Sequence, residues 1–363
     1  MAKNIVICCD GTGDSFGREA SNVVKLYQTL VQDAGQVTYY HPGVGTLGAR
    51  AALTSVSRWW TRVLGLAFGY GLSDNVADAY EFLMRAFVPG DRVFVFGFSR
   101  GAYTARALCG MLHIVGLLTQ GNEALIPYAI RMIKRKGLDF ELAKEFKATF
   151  SRPCKSHFVG VWDTVTSVGW VYNAVRFPFT NATHNPDLAI IRHAVSIDER
   201  RAFFRQNLFG APYGPHQDVK EVWFAGAHSD VGGGYAESES ALSQIGLRWM
   251  LCEGGSAGLK VHAAREADIL GGNAPHVKPD PTTKNLHNSL RGWWHLGELW
   301  PKVVHIQDAQ GRWHASIRFN LWRRRQIAPG SLIHQSVEVR LANRALGYKP
   351  ANLPQERKVD RQC

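Results

Sequence analysis

The sequence contains no long uninterrupted hydrophobic run. Its most apolar region, residues 51–72, is interrupted by Arg58 and Arg62, so no stretch reaches the roughly 18 apolar residues of a membrane-spanning helix. The chain enters the short apolar run 5–9 almost directly after Met1, and this run is too short for the hydrophobic segment of a signal peptide. We therefore expect a cytoplasmic protein without a membrane span.

Cysteine is also scarce. The six cysteines show neither the paired spacing of a zinc site nor the density of a secreted disulfide framework. They are Cys8, Cys9, Cys109, Cys154, Cys252 and Cys363. We expect reduced thiols and no metal site.

Positive charge is abundant and unevenly distributed. The formal net charge is +12, and from Lys284 onward there are fourteen Lys and Arg against five Asp and Glu. Such a surface could attract an anionic membrane or an acidic partner protein, or it could simply be solvated. Its densest part, residues 323–325, has no basic–aromatic repeat or nucleic-acid module around it, so we expect no nucleic-acid partner.

Short apolar runs alternate with helical segments through the first 250 residues. This alternation is typical of an α/β fold with a mostly parallel sheet and helices on both faces. The predicted strands are residues 4–9, 36–40, 92–97, 156–162 and 221–226.

Two helices are predicted between these strands. The first covers residues 73–87, with Ser73 as its N-cap, and the second covers residues 102–112. Residues 116–152 and 166–216 are expected to be insertions, and residues 255–363 a basic extension packed on the core 1–254. We expect the chain 1–363 to form a single domain.

The strongest chemical signal is a G-x-S-x-G motif formed by Gly97, Ser99 and Gly101. It follows an apolar strand and precedes a small-residue helix, so the serine hydroxyl would be presented above the sheet on a tight turn. The flanking glycines avoid collisions with the strand and helix. The motif predicts that Ser99 is a nucleophile.

A serine nucleophile needs a base and an acid that orients the base, in the chain order Ser, Asp or Glu, His. Asp163 and His228 each follow an apolar strand, so both are expected at the sheet edge that carries Ser99. His41 precedes the serine and His113 lies within the following helix, so both are interpreted as structural.

Asp230 is the alternative to Asp163. It lies two residues from His228, and in so short a loop we expect its carboxylate to bind its own backbone. For the oxyanion hole we predict the amide of Arg100 and the amide of Gly11 or Thr12. Asp10 is expected to support that glycine-rich turn by capping its amides.

The same turn suggests a different enzyme class. Asp-x-Asp-Gly-Thr after a first strand marks phosphatases of the haloacid-dehalogenase type, in which the first aspartate is the nucleophile. Here Cys8 occupies that position, which removes both the phosphate acceptor and a magnesium ligand. The phosphatase interpretation is therefore disfavoured.

Four ordered motifs together resemble the uncharacterised α/β-hydrolase domain family that includes type VI secretion phospholipase effectors. They are C-D-G-T-G followed by S-N-V, G-F-S-R-G-A, V-W-D-T-V and A-H-S-D-V-G-G-G-Y. The resemblance implies a Ser99–Asp163–His228 triad and hydrolysis of an ester, with phospholipid acyl esters as the best-understood substrates. No cofactor is implied.

Two further hypotheses concern partners. Residues 58–68 combine aromatic and aliphatic residues with two arginines, which fits either an interfacial lid over a lipid-binding cleft or a buried insert. The alternative to catalysis is a silent hydrolase fold that binds an anionic partner or membrane through its basic C-terminal region. The sequence does not predict an oligomeric state.

Overall fold

The computed structural model describes seven segments of the chain. They are residues 2–11, 19–43, 71–134, 138–165, 180–292, 294–307 and 313–362. Thr12 and the predicted lid, residues 58–68, lie outside the described residues.

The described residues form twelve strands. They are β1 (Asn4–Cys9), β2 (Gln36–His41), β3 (Arg92–Phe98), β4 (Leu117–Leu118), β5 (Ser151–Arg152), β6 (Ser156–Trp162), β7 (Leu188–Ser196), β8 (Asp218–Phe224), β9 (Lys302–Gln307), β10 (Trp313–Arg318), β11 (Leu332–His334) and β12 (Lys358–Asp360). Eight of them form one parallel sheet in the order β12-β11-β8-β7-β6-β3-β1-β2. The pairs β4–β5 and β9–β10 are separate antiparallel ribbons.

Ten α-helices lie in the same segments. They are α1 (Asn22–Thr29), α2 (Leu72–Ala86), α3 (Arg100–Val115), α4 (Ile126–Lys134), α5 (Phe140–Phe150), α6 (His228–Gly232), α7 (Ala241–Ser256), α8 (Ala263–Gly271), α9 (Trp294–Glu298) and α10 (Gln335–Ala342). Helices α2 to α5 cover one face of the sheet, and α1, α7 and α8 cover the other. The two faces of β1 illustrate this division, since Ile5 and Ile7 point into the first cluster and Val6 and Cys8 into the second. The predicted fold class is confirmed.

All five predicted strands are present, with small shifts in their ends. The strand predicted at 221–226 is Asp218–Phe224, because Gly226 has a φ of 115° and the chain has already turned there. The helix predicted from Ser73 begins at Leu72 instead. Its N-cap is Gly71, whose left-handed backbone (φ 91°) makes the turn, so Ser73 lies inside the first helical turn.

The segment expected to be a loop insertion, residues 166–216, contains a central strand of the sheet. β7 pairs with β6 on one side and β8 on the other. Its apolar pattern is broken by Arg192 and His193, which are buried and paired with Glu253 (Nε–Oε2 2.5 Å) and Glu221 (Nδ1–Oε2 2.8 Å). Buried polar side chains with partners on other elements therefore concealed the strand, and the insertion prediction was wrong here.

The chain reverses direction across the sheet between β1 and β3. From β1 it runs outward to the edge strand β2 and then returns to pair β3 with the other side of β1. In open parallel sheets, the crevice beyond the carboxyl ends of such strands is where ligands bind. The turns after β1 and β3 carry Asp10, Gly11 and Ser99.

Four of the cysteines are free and buried: Cys8, Cys9, Cys109 and Cys154. Cys252, however, is disulfide-bonded, which departs from the expectation of reduced thiols throughout. Within the described segments, no helix is both long and apolar enough to cross a bilayer. The same segments hold no cluster of three or more His, Cys, Asp or Glu arranged to ligate a metal.

Candidate active site

Ser99 lies on a strained turn between β3 and α3. Its backbone has φ 58° and ψ −119°, an unfavourable combination for a residue with a side chain. An added Cβ on Gly97 would lie 2.5 Å from the carbonyl oxygen of Gly101, and one on Gly101 would lie 2.1 Å from the carbonyl oxygen of Cys9. The strand, the turn and the helix therefore pass so closely that only glycine fits on either side of the serine.

Asp163 follows β6 directly and is fully buried. Its Oδ2 lies 2.6 Å from Nδ1 of His228, and its Oδ1 accepts a hydrogen bond of 2.9 Å from the amide of Ser196. Phe98 and Trp162 are paired in register across β3 and β6. Ser99 and Asp163 thus leave neighbouring strands at the same level of the sheet.

Arg325 is a site residue that the sequence analysis did not identify. Its guanidinium binds Asp163 with both outer nitrogens, Nη1 to Oδ1 at 2.5 Å and Nη2 to Oδ2 at 2.9 Å. It also donates to the side chain and carbonyl of Ser196 and to the carbonyl of Phe204. The basic run 323–325, interpreted from sequence as a surface feature, therefore contains one buried arginine that holds the acid.

The charge on Asp163 is strongly stabilised. Burial by itself raises the pKa of this carboxyl, but the Arg325 guanidinium and the hydrogen bond with His228 outweigh burial and hold the pKa well below its usual range. Asp163 is consequently ionised at neutral pH and accepts hydrogen bonds only.

His228 begins the short helix α6 and is buried. Burial lowers its pKa from the ordinary value, and the Asp163 carboxylate opposes that shift only in part. The rings of Phe98 and Phe204 lie 4.6 and 4.9 Å from the imidazole ring, centre to centre. A neutral imidazole, which can accept a proton, is therefore favoured near pH 7.

Glu199 supports the same histidine from the backbone side. Its Oε2 accepts a hydrogen bond of 3.2 Å from the amide of His228, and its Oε1 accepts one of 2.8 Å from the hydroxyl of Ser289. Burial raises the pKa of Glu199, but Arg201 more than compensates and lowers it to about 2. The sequence offered no signal for this carboxylate, because it follows β7, the strand that was missed.

The Ser99 hydroxyl and the His228 imidazole are both at this rim, but no hydrogen bond joins them in the described structure. The hydrogen bond between Asp163 and His228 is formed, whereas one between His228 and Ser99 is not. Nucleophile–base hydrogen bonds are often long in ligand-free active sites and tighten when substrate binds.

The rival residues have other partners. Asp230 accepts hydrogen bonds from the amide of Ala227 (2.9 Å) and binds Nδ1 of His287 (2.6 Å). His41 pairs with Asp78 and His113 pairs with Asp187. Among the carboxylates of the described segments, Asp163 is the one that bonds to the His228 ring.

The predicted oxyanion-hole residues lie next to the serine. Arg100 is the first residue of α3, so its amide has no partner within the helix. A Cβ added to Gly11 would lie 3.0 Å from both that amide nitrogen and Cβ of Ser99. The Gly11 amide, however, donates to Oδ1 of Asp10 at 2.7 Å, so this donor is already engaged.

Asp10 holds the turn after β1 through several contacts. Besides the Gly11 amide, it accepts hydrogen bonds from the hydroxyls of Ser21 (2.5 Å) and Tyr40 (2.9 Å). Cys8, at the nucleophile position of the phosphatase alternative, is fully buried, and burial raises the pKa of its thiol well above the usual value. A buried neutral thiol cannot attack a substrate.

Residues 3–253 match the family described as T6SS, phospholipase effector Tle1-like, catalytic domain. The chain belongs to this family. The predicted resemblance is thereby confirmed. Arg325 lies beyond the matched residues.

Two further comparisons cover only part of each chain. The uncharacterized protein YEL023C of Saccharomyces cerevisiae is 40% identical over 233 residues, which make up 59% of this chain and 34% of that protein. The crystal structure of an uncharacterized protein from Pseudomonas aeruginosa has a TM-score of 0.42 and 21% identity, covering 73% of this chain and 47% of that one. The chain thus spans about a third to a half of the length of these relatives.

Proposed function

We propose that this protein is a serine hydrolase that cleaves carboxylic esters of lipids through an acyl-enzyme. The observation that supports this most directly is the strained Ser99 turn beside an ionised Asp163 that is hydrogen-bonded to His228. Positive-φ backbone at a serine is expensive and persists where the fold requires it. The family membership supports a lipid as the source of the ester.

In the proposed reaction, Nε2 of His228 takes the proton from the Ser99 hydroxyl as Oγ attacks the ester carbonyl. The oxyanion receives hydrogen bonds from the Arg100 amide and from an amide of the turn after β1, for which Thr12 is the remaining candidate. Collapse of the tetrahedral intermediate breaks the ester C–O bond, and His228 protonates the departing alcohol. The acyl group stays on Ser99.

Deacylation uses the same groups. His228 removes a proton from water, the resulting hydroxide attacks the acyl carbonyl, and the carboxylic acid leaves as Oγ of Ser99 regains its proton. Throughout, Asp163 stays ionised and fixes the imidazole with Nε2 free to exchange the proton. The mechanism uses only residues of this chain.

The nucleophile assignment is tested by Ser99→Ala. We expect this substitution to abolish labelling by a fluorophosphonate probe and to lower hydrolysis of p-nitrophenyl esters by at least about 10³-fold, as for other triad serines. Ser256→Ala, which alters a hydroxyl that only bonds within α7, is the matched control and should retain both activities. Retained labelling and turnover in the Ser99 variant would refute the proposal.

The class of ester is tested on the unaltered protein. Hydrolysis is measured on esters of increasing acyl chain length, first as monomers and then in phospholipid vesicles. We expect higher turnover per enzyme on vesicles than on short monomeric esters. A preference for acetyl esters without a response to vesicles would exclude lipids as the substrate class.

A further inference from the structure

Six large apolar side chains are exposed on two segments in the C-terminal third of the chain. They are Leu296, Leu299, Trp300, Phe319, Leu321 and Trp322, which are between 38% and 58% exposed. We call this set the 296–322 patch. Contiguous exposed apolar surface of this kind marks an interaction site more often than chance.

The two segments are joined by hydrogen bonds, so the patch is one surface. The amide of Leu321 donates to the carbonyl of Glu298 at 3.1 Å, and Nε1 of Trp322 donates to Nδ1 of His295 at 2.9 Å. Helix α9 and residues 319–322 therefore lie side by side, with their apolar side chains facing outward.

The backbone that displays these side chains is itself strained. Leu321 and Trp322 have φ values of 48° and 58°, in the left-handed region that bulky residues avoid. Glu298, fully buried, holds this conformation: its Oε2 accepts hydrogen bonds from the amide of Trp322 (3.0 Å) and from the side chain of Asn320. A buried carboxylate thus stabilises a costly turn whose result is an exposed leucine and tryptophan.

The charged side chains exposed on the two segments are positive. Arg291 and Arg323 are exposed and Arg324 is half-buried. Residues 291–300 and 319–326 contain a single acidic residue, Glu298, and it is buried. Exposed apolar and aromatic side chains beside arginines, on two segments whose one carboxylate is buried, complement a bilayer that contains anionic lipid.

The patch lies close to the candidate active site. Trp294 of α9 contacts the ring of Phe204 edge-on (5.7 Å between centres), and Phe204 in turn contacts the His228 ring at 4.9 Å. Arg325, which binds Asp163, lies three residues after Trp322 in the chain. Two aromatic side chains, Trp294 and Phe204, therefore connect helix α9 to the His228 ring.

We propose that the 296–322 patch docks this protein onto bilayers containing anionic phospholipid, with Leu296, Leu299, Leu321 and Trp322 inserted at the interface and Arg291 and Arg323 contacting lipid headgroups. The docked orientation turns the rim that carries Ser99 and His228 toward the lipid. The use of this docking rests on the proposed function, because it would bring lipid to the candidate active site. The docking itself requires no hydrolysis.

Docking is measured by flotation with vesicles of phosphatidylcholine alone and of phosphatidylcholine with phosphatidylglycerol. The protein carries Ser99→Ala so that the vesicles stay intact. We expect Leu296→Ser with Leu321→Ser to weaken partitioning onto the anionic vesicles by about tenfold or more. Arg323→Gln should weaken it by about fivefold and leave the weaker binding to neutral vesicles unchanged.

Phe140→Ser, at an exposed aromatic residue on α5, is the matched control and should bind vesicles like the parent. When Ser99 is left unaltered, the patch variants should hydrolyse a soluble monomeric ester at the same rate as the parent protein. Unchanged vesicle binding by the double leucine variant overturns the proposal. So does sedimentation that shows the variant has lost a self-association of the parent, because the patch would then join two copies of this chain.

Failure of the proposed function would look different. A protein that floats with anionic vesicles through this patch but neither labels with a fluorophosphonate nor hydrolyses esters would retain the docking inference and refute the catalytic one. A protein that hydrolyses esters but does not float would do the reverse.

Discussion

At the scale of single residues, the least expected feature is the bidentate ion pair between Arg325 and Asp163. The carboxylate is shared between a guanidinium and an imidazole, so its charge is only partly available to stabilise a protonated His228. Burial already lowers the pKa of that histidine. Arg325 thus positions Asp163 against the His228 ring and competes with that ring for the carboxylate.

Replacing Arg325 by methionine should shift the pH profile upward. With the competing cation gone, Asp163 stabilises the imidazolium more strongly, the His228 pKa rises, and the acidic limb of kcat/KM moves up by about one pH unit. The measurement is kcat/KM for a soluble ester between pH 5 and 9. Melting temperature is recorded alongside, because removing one partner of a buried pair costs about 3–5 kcal/mol of stability.

Arg325→Lys is the matched control for this prediction. It keeps the positive charge but cannot form the bidentate contact with Asp163. We therefore expect kcat to fall, while the midpoint of the acidic limb of kcat/KM stays near that of the parent. A merely structural role for Arg325 would lower activity in both variants and leave both midpoints in place.

The choice between the two acids is also tested at this scale. Asp163→Asn removes the partner of the His228 ring, whereas Asp230→Asn disturbs the Ala227 amide and His287. We expect Asp163→Asn to lower kcat by about 10⁴-fold, as for other triad aspartates, and Asp230→Asn to lower it far less. Steady-state kinetics on the folded variants decide this, and the reverse ranking would assign the acid to Asp230.

At the scale of elements, the close approach of β1, β3 and α3 determines where Ser99 lies. Helix α3 starts immediately after Ser99, and its small residues let it lie directly on the sheet. Gly101 is the contact point, since a Cβ there would meet the carbonyl of Cys9 in β1. Because the β1 backbone is held in the sheet, there is no room for a methyl group at position 101.

Gly101→Ala should therefore destabilise the fold and displace the serine. We expect a loss of unfolding free energy of at least about 1–3 kcal/mol, the usual cost of overpacking, together with loss of probe labelling. Gly255→Ala is the control, because nothing lies within 4 Å of an added Cβ in this position of α7. Urea unfolding should show the control to be as stable as the parent or slightly more stable.

At the scale of the whole molecule, residues beyond the family match complete both the sheet and the site. β11 pairs with β8 and β12 pairs with β11, and a cluster that includes Trp223, Ile333 and Val337 covers that end of the sheet. Arg325 comes from the same region. The matched residues 3–253 thus leave β8 as an edge and Asp163 without its guanidinium.

A fragment of residues 1–254 should consequently fail to form a working site. We expect poor solubility or a less cooperative thermal transition, since the truncation exposes an apolar strand edge, and no fluorophosphonate labelling of Ser99. Circular dichroism and probe labelling of the fragment beside the 363-residue chain test this. A stable fragment that labels normally would show that residues 255–363 are dispensable.

The sequence alone was sufficient wherever the signal is local. Strand, G-x-S-x-G turn and helix all lie within residues 92–115, and their apolar pattern and glycines follow from contacts between near neighbours. Asp163 and His228 were predicted because each follows an apolar strand. Their assignment as catalytic residues stays a prediction, although the hydrogen bond between them is present.

Only the tertiary structure decided the contacts between remote parts of the chain. Arg325 lies 162 residues from Asp163 and belongs to a basic run that looks like solvated surface. β7 was concealed by charged residues that are paired once folded, and the three-residue strands β11 and β12 are too short to show a period. Periodicity reports which face of an element is buried, whereas the partner of a buried charge depends on how distant elements pack.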